Sequence, residues 1–192
     1  MPSLIETIAS QLTPQTIATI AGQLGVDQGT AQQSIGLAVP LLVSALARNT
    51  QSKTGAKSLS KALKKDHDGS ILADLPAAIA GYQTGEGDGI LRHVLGANRP
   101  VVEQTLQRGT NVDAGQLLVM LAPIVMGVLG QMQQKQNLSP TALSKTLITE
   151  QQRIGSTNSD LMGAVTRLLD ANSDGSMVDD VIGILGRLTS QK

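Results

Sequence analysis

The side chains best suited to chemistry in this chain stand in two acidic turns. KKDHDGSILADL (residues 64–75) and DANSDGSMVDDV (residues 170–181) each contain an Asp-Gly-Ser triplet followed by an apolar segment. In each turn another aspartate stands six residues after the Asp of the triplet, as Asp74 stands after Asp68. A pattern of this kind is typical of a helix start or of a degenerate loop that binds a cation.

The second acidic turn offers oxygen ligands of the kind that calcium prefers. Calcium loops take oxygens from alternate positions around a sharp turn and normally close on a bidentate glutamate at position 12. That position is Val181, and the aspartate one residue earlier has a shorter side chain than glutamate. We therefore expect any calcium site here to be weak. The candidate ligands are Asp170, Asn172, Asp174, Ser176 and Asp180.

Helix capping explains the same turns without a metal. Ser176 can cap a helix, with Asp179 three residues later completing a capping box, and acids near a helix N-terminus are stabilised by the helix dipole. In the first turn Lys64 places a cation where the first calcium ligand should stand. Capping is therefore the preferred interpretation of both turns, and calcium binding is the alternative.

A positive stripe is the second candidate site. Its lysines recur every four residues, and no acidic residue occurs from residue 48 to residue 65. On a helix this spacing places them on one face, where they can contact an anionic partner or phosphates. The alternative is an ordinary solvated helix face. The four lysines are Lys53, Lys57, Lys61 and Lys65.

Residues for catalysis are scarce. The chain has no cysteine, which excludes thiol catalysis and thiolate metal sites. Its two histidines, His67 and His93, belong to no metalloprotease motif, and there is no nucleophile-elbow motif. His67 can at most join Asp66 and Asp68 as a ligand in the first turn. We therefore expect no enzyme activity and no cofactor other than weakly bound calcium.

Composition and charge limit the classes of partner that the protein can bind and its expected location in the cell. The 15 basic and 15 acidic residues cancel, so no overall field attracts nucleic acid or a membrane surface. The N-terminus lacks the positive charge and the unbroken apolar core of a signal peptide, which predicts a cytoplasmic protein. Two uncharged stretches, 28–47 and 114–134, contain strictly apolar parts shorter than the roughly 18 residues of a spanning helix. We expect buried core helices and no membrane span.

Local signals predict an all-α, multihelical fold. Thr13-Pro14 and Ser139-Pro140 each place a capping hydroxyl before a proline, whose fixed φ suits the first helical position. Gly25 is placed to end the first of these helices. No segment alternates apolar and polar residues with β-branched enrichment, so no strand is expected.

Matched landmarks in the two halves of the chain predict an internal duplication. VDQG matches VDAG, SLSKAL matches ALSKTL, and Pro40 corresponds to Pro123 inside an apolar helical segment. We expect two similar helical units, residues 1–80 and 87–192, fused into one core around two proline-bent apolar helices. Proline inside a helix removes a backbone hydrogen bond, so each long helix should kink or break just before it.

Several of these segments resemble one family, the YidB-like bacterial proteins, which are defined by a domain of unknown function. The resemblance rests on DQGTAQQSIGLAVPLLVSALARN, KKDHDGSIL, DGILRHVLG, LLVMLAPIVMGVLG and the C-terminal DGSMVDD, and it covers most of the chain. It implies a multihelical fold and a bacterial source. It implies no activity, ligand or catalytic residue.

The leading functional hypothesis is a non-enzymatic helical interaction or scaffold protein. We expect it to self-associate or to bind a protein partner through an exposed apolar or glycine-lined groove, and we expect no nucleic acid partner. The alternative is a weak divalent-cation-binding module that uses the C-terminal acidic turn. An enzyme without a recognisable motif is the third hypothesis.

Overall fold

The computed structural model describes residues 3–81, 84–157, 159, 160, 163 and 165. Within them the chain forms α-helices and two short 3-10 turns, Ser70–Ala73 and Gly96–Asn98, and no strand. The prediction of an all-α, multihelical fold is confirmed. The helices are α1 (Leu4–Gln11), α2 (Pro14–Leu24), α3 (Gln28–Asn49), α4 (Lys53–Lys65), α5 (Leu75–Ala80), α6 (Thr84–Val94), α7 (Arg99–Thr110), α8 (Ala114–Gln136) and α9 (Pro140–Thr157).

Two predicted helix starts are confirmed by their caps. The Thr13 hydroxyl accepts a hydrogen bond from the backbone N–H of Thr16, and α2 begins at the proline between them. The Ser139 hydroxyl accepts from the N–H of Ala142 at 3.2 Å at the start of α9. Gly25 ends α2 in the left-handed conformation, at φ 67°.

The centre of the fold is made by α3 and α8, which pack on each other. Every residue from 37 to 47 and from 117 to 130 is buried. A helix that is apolar all round is typical of a protein core. With few aromatic residues in the chain, leucine, valine, isoleucine and alanine fill this core, and most of the buried apolar residues of the described part form one cluster.

Both central helices continue through their prolines. Pro40 lies inside α3 and Pro123 inside α8, and neither helix is interrupted there. The predicted break is therefore wrong, while a bend at the prolines stays a prediction. Because every residue around each proline is buried, packing offsets the lost hydrogen bond.

The matched landmarks form the same local structure in both halves. Asp27 precedes α3 and Asp113 precedes α8, and each carboxylate caps its helix by accepting a backbone N–H bond at 2.9 Å, from Thr30 and Gln116 respectively. This similarity is what a duplication requires. The division into units 1–80 and 87–192 stays a prediction.

By length and composition alone, α3 and α8 would each pass as a membrane-crossing helix. In each, however, 72% of the most apolar window is buried inside the fold. That burial supports the prediction that these stretches are core helices of the protein. The cytoplasmic location stays a prediction.

Candidate functional site

The predicted positive stripe lies on α4. Lys53, Lys57, Lys61 and Lys65 are all exposed, and the opposite side of the helix is buried through Leu63 and its neighbours. A shallow depression of about 470 Å³ adjoins the stripe beside the first residue of α9. The helix is thus amphipathic in the sense that the sequence predicted, with its charges turned to solvent.

The first acidic turn follows α4 and acts through helix and turn capping. The Asp68 carboxylate accepts a hydrogen bond from the N–H of Ser70 at 2.9 Å, and this bond lowers the pKa of Asp68. Asp74 accepts from the N–H of Ala77 at 3.1 Å and caps α5. Within the described part of the chain, no three His, Asp or Glu side chains are grouped to hold a metal ion.

Glycines seat this turn directly on α8. A Cβ added to Gly130 would overlap the backbone carbonyl of His67, and one added to Gly127 would lie 2.7 Å from the Cγ2 of Ile71. Gly69, at φ 95°, adopts a conformation that favours glycine and approaches Gln131. These contacts therefore fix the position of the turn on α8. The sequence did not predict this contact.

A groove of about 810 Å³ runs between α4 and α6, and we call it the α4–α6 groove. Leu46 of α3 and Met126 of α8, both buried, lie beneath it. Its apolar walls are formed by Leu59, Ala62, Ile90 and Val94, with serine, asparagine and histidine side chains around them. This surface has the apolar, glycine-lined character that the leading hypothesis requires.

The glycines of α6 have two different roles. Gly85 and Gly89, one turn apart, both line the groove, and no atom lies within 4 Å of a Cβ placed on either. Gly87 faces the other way, where a Cβ would overlap the backbone carbonyl of Val119 in α8. Close packing on one side of α6 thus leaves an open, flat surface on the other.

Several contacts fix the α6 wall of the groove. Arg99 Nη2 donates to Asp88 Oδ1 at 2.6 Å, and its Nε donates to Glu103 Oε1. Both bonds raise the pKa of Arg99, and the bond to Glu103 has the larger effect. Asn49 Nδ2 donates to the carbonyl of Val94 at 2.8 Å, which ties the end of α6 to the end of α3.

The α4 wall is fixed at two positions. A Cβ on Gly55 would overlap the carbonyl of Asn49, so the start of α4 lies against the end of α3. Further along, the amide of Gln133 in α8 donates to the Ser60 hydroxyl, and both side chains are buried. With two walls and a floor held by neighbouring helices, the groove is preformed.

The polar end of the groove is made by Asp66, His67 and Glu86. The His67 Nδ1 lies 3.3 Å from Glu86 Oε1, and the His67 side chain is only 10% exposed. His67 therefore faces a carboxylate of α6 and does not join Asp66 and Asp68 as a ligand. His93 is exposed, with its Nδ1 2.8 Å from the carbonyl of Gly89.

The C-terminal acidic turn lies outside the described residues. Its candidate calcium ligands, Asp170, Asn172, Asp174, Ser176 and Asp180, are therefore not tested by the structure. Both the capping and the calcium interpretations of that turn stay predictions.

Comparison with known proteins gives one match. A family model described as bacterial protein of unknown function (DUF937) matches residues 6–132. Neither the curated proteins nor the solved structures contain a significant match. The matched residues include both walls and the floor of the α4–α6 groove.

Proposed function

We propose, from the premise that the chain belongs to this bacterial family of unknown function, that it is a non-enzymatic interaction protein. Its α4–α6 groove binds an amphipathic helix of a protein partner, and the flank of that helix next to α4 is acidic. Within the family, the quoted segments favour a YidB-like member. The location that fits this function is the cytoplasm.

The observation that carries the proposal is the combination of an apolar floor with open glycine positions. An α-helix with its side chains is about 10–12 Å across. At about 1.5 Å of rise per residue, the two walls α4 and α6 are roughly 16–20 Å long. A bound helix of about three turns would match that length. Gly85 and Gly89 allow its backbone to come close, and Leu59 and Ile90 would contact its apolar face.

Exposed lysines of α4 outside the groove lining support an acidic flank on the partner, while the Asp66 and Glu86 carboxylates at the polar end of the groove disfavour acids at that end. Successive helix residues are about 100° apart, so Lys65 lies within about 20° of the groove-lining Ser58, and Lys61 lies within about 60° of it. Both lysines are exposed. Carboxylates on the adjacent flank of a bound helix would be attracted by these lysines, whereas lysines there would be repelled, so the charge of that flank determines which partner is preferred.

The test uses two fluorescent synthetic peptides with the same leucine and alanine face. One carries glutamate along its flanks and the other carries lysine. We expect the full chain to bind the acidic peptide at least about tenfold more tightly in fluorescence anisotropy, a difference of roughly 1.4 kcal/mol. Reversing Lys61 and Lys65 to glutamate should exchange the preference.

A glycine pair supplies the matched variants. In Gly89→Leu the new side chain would enter the groove, whereas in Gly36→Leu it would enter open space on α3. Binding should be lost in the first variant and kept in the second. Equal binding of both peptides, or undiminished binding to Gly89→Leu, would overturn the proposal. A wild-type dimer that Gly89→Leu dissociates would identify a second copy as the occupant and refute the acidic partner.

A further inference from the structure

A second cavity, of about 520 Å³, shares Asp66, His67 and Glu86 with the α4–α6 groove and extends from them towards α5 and α8. We call it the α5 pocket. Its interior is apolar, formed by buried Leu75, Ile79, Met120 and Ile124. Its size lies within the range of roughly 300–1,000 Å³ that is usual for small-molecule sites.

Three exposed carboxylates line the mouth of the α5 pocket, together with His67 and Ser70. Asp66, Asp68 and Glu86 contribute carboxylates, and the Ser70 N–H that lowers the pKa of Asp68 keeps that group ionised. Among the lining carboxylates, Asp66 has a cation beside it, since Lys65 Nζ lies 3.6 Å from its Oδ1. One neighbouring cation against three carboxylates leaves the polar end negative.

His67 is the most buried of these groups. Its side chain is only 10% exposed, and its Nδ1 lies 3.3 Å from Glu86 Oε1. A hydrogen on Nδ1 that faces this carboxylate leaves Nε2 of a neutral imidazole as an acceptor, which complements a donor on a ligand.

We propose that the α5 pocket binds a small amphiphilic primary amine. Its ammonium group, which has three donors and no acceptor, is bound between Glu86 and the His67 imidazole, within reach of the Asp66 carboxylate. Its hydrocarbon part lies among Leu75, Ile79 and Ile124. This site differs from the groove, because the apolar residues that line it belong to the 3-10 turn at Ser70–Ala73, to α5 and to the middle of α8.

The test is calorimetry of the full chain with octylamine, octanol and octanoate below their aggregation concentrations. These probes share one hydrocarbon chain and differ in the charge of the head group. We expect binding of octylamine, with octanol at least about tenfold weaker and octanoate weaker still, because the polar end offers acceptors and negative charge. Octylamine should also raise the melting temperature.

Two variants localise the bound amine. Ala78 lines the α5 pocket and not the groove, so Ala78→Leu should remove octylamine binding by filling the apolar end. Glu86→Gln should weaken it about tenfold through loss of the charge, whereas Asp160→Asn, at an exposed carboxyl elsewhere, should have no effect. Equal affinity for octanoate and octylamine, or unchanged binding to Ala78→Leu, would overturn the proposal.

Discussion

Gly130 of α8 provides the sharpest test of how the acidic turn and the polar end of the groove are positioned. The backbone carbonyl of His67 lies so close to this glycine that an added Cβ would overlap it, with the His67 carbonyl carbon at 2.9 Å. The obstacle is backbone, which cannot move aside as the end of a flexible side chain can. Gly130→Ala must therefore displace the whole turn.

The net effect follows from two opposing contributions. Alanine in a helix interior is about 0.5–1 kcal/mol more favourable than glycine. Overpacking in a fixed site costs roughly 1–3 kcal/mol. The turn is also held at Gly127 and Gly69, so it has little freedom to adapt, and the upper part of that range applies. We expect a net loss of about 1–2 kcal/mol, or a decrease of roughly 2–8 °C in melting temperature for a chain of this size.

Urea unfolding followed by circular dichroism measures this difference, with Gly36→Ala as the control. Gly36 lies in α3, is exposed, and has no atom within 4 Å of an added Cβ. That variant should be more stable than wild type by about 0.5–1 kcal/mol. If Gly130→Ala were stabilised to the same degree, the close approach of the turn to α8 would be refuted.

Three other perturbations test separate parts of the account. The buried Glu150 carboxylate accepts hydrogen bonds from the N–H groups of Leu4 and Ile5, at 3.2 and 3.4 Å. Glu150→Ala should therefore lower the free energy of unfolding, measured in urea, by about 1.5–3 kcal/mol. The control Thr149→Ala, at an exposed neighbouring position, should change it little. Hydrogen bonds from Thr30 lower the pKa of Asp27 below its ordinary value of 3.8, so its contribution to stability is complete above that pH and is lost as pH falls through the lowered value. Asp27→Asn, which can still cap α3, should therefore lose less stability than wild type on acidification below about pH 4, as followed by urea midpoints; an equal loss would contradict this assignment. For the C-terminal turn, millimolar calcium should stabilise the chain by at most about 1 kcal/mol and not at all in Asp174→Asn, and micromolar affinity in calorimetry would show that Asp180 closes the loop.

Local signals in the sequence were sufficient to predict the starts of α2 and α9. Capping by Thr13 and Ser139 depends on residues within one turn, so the sequence contains all the information required. The same is true of the lysines of α4, whose spacing alone determines that they share a face. Burial at Pro40 and Pro123 is different, because it depends on neighbouring helices, and packing kept both helices continuous where the local rule allowed a break.

The groove could not be predicted from local rules. The segment TGEGDGIL contains three glycines at every second position, and local rules do not distinguish between them. In the fold, Gly87 lets α6 approach α8 closely, and Gly85 and Gly89 remain open on the opposite side. The four-residue spacing of Gly85 and Gly89, next to Ile90, was the sequence feature that could have indicated the groove. Gly87 packs against Val119, which is distant in the sequence. Only the tertiary structure therefore distinguishes this packed glycine from the two open ones.

The most direct test of the helix-binding groove is a methyl NMR titration of the full chain with the acidic-flanked peptide. We expect chemical-shift changes concentrated on Leu59, Ile90, Val94 and Met126, which line the groove, and their loss in Gly89→Leu. Changes concentrated instead on α2, around Ile17, or the absence of any change at saturating peptide, would contradict the assignment of the α4–α6 groove as the binding surface.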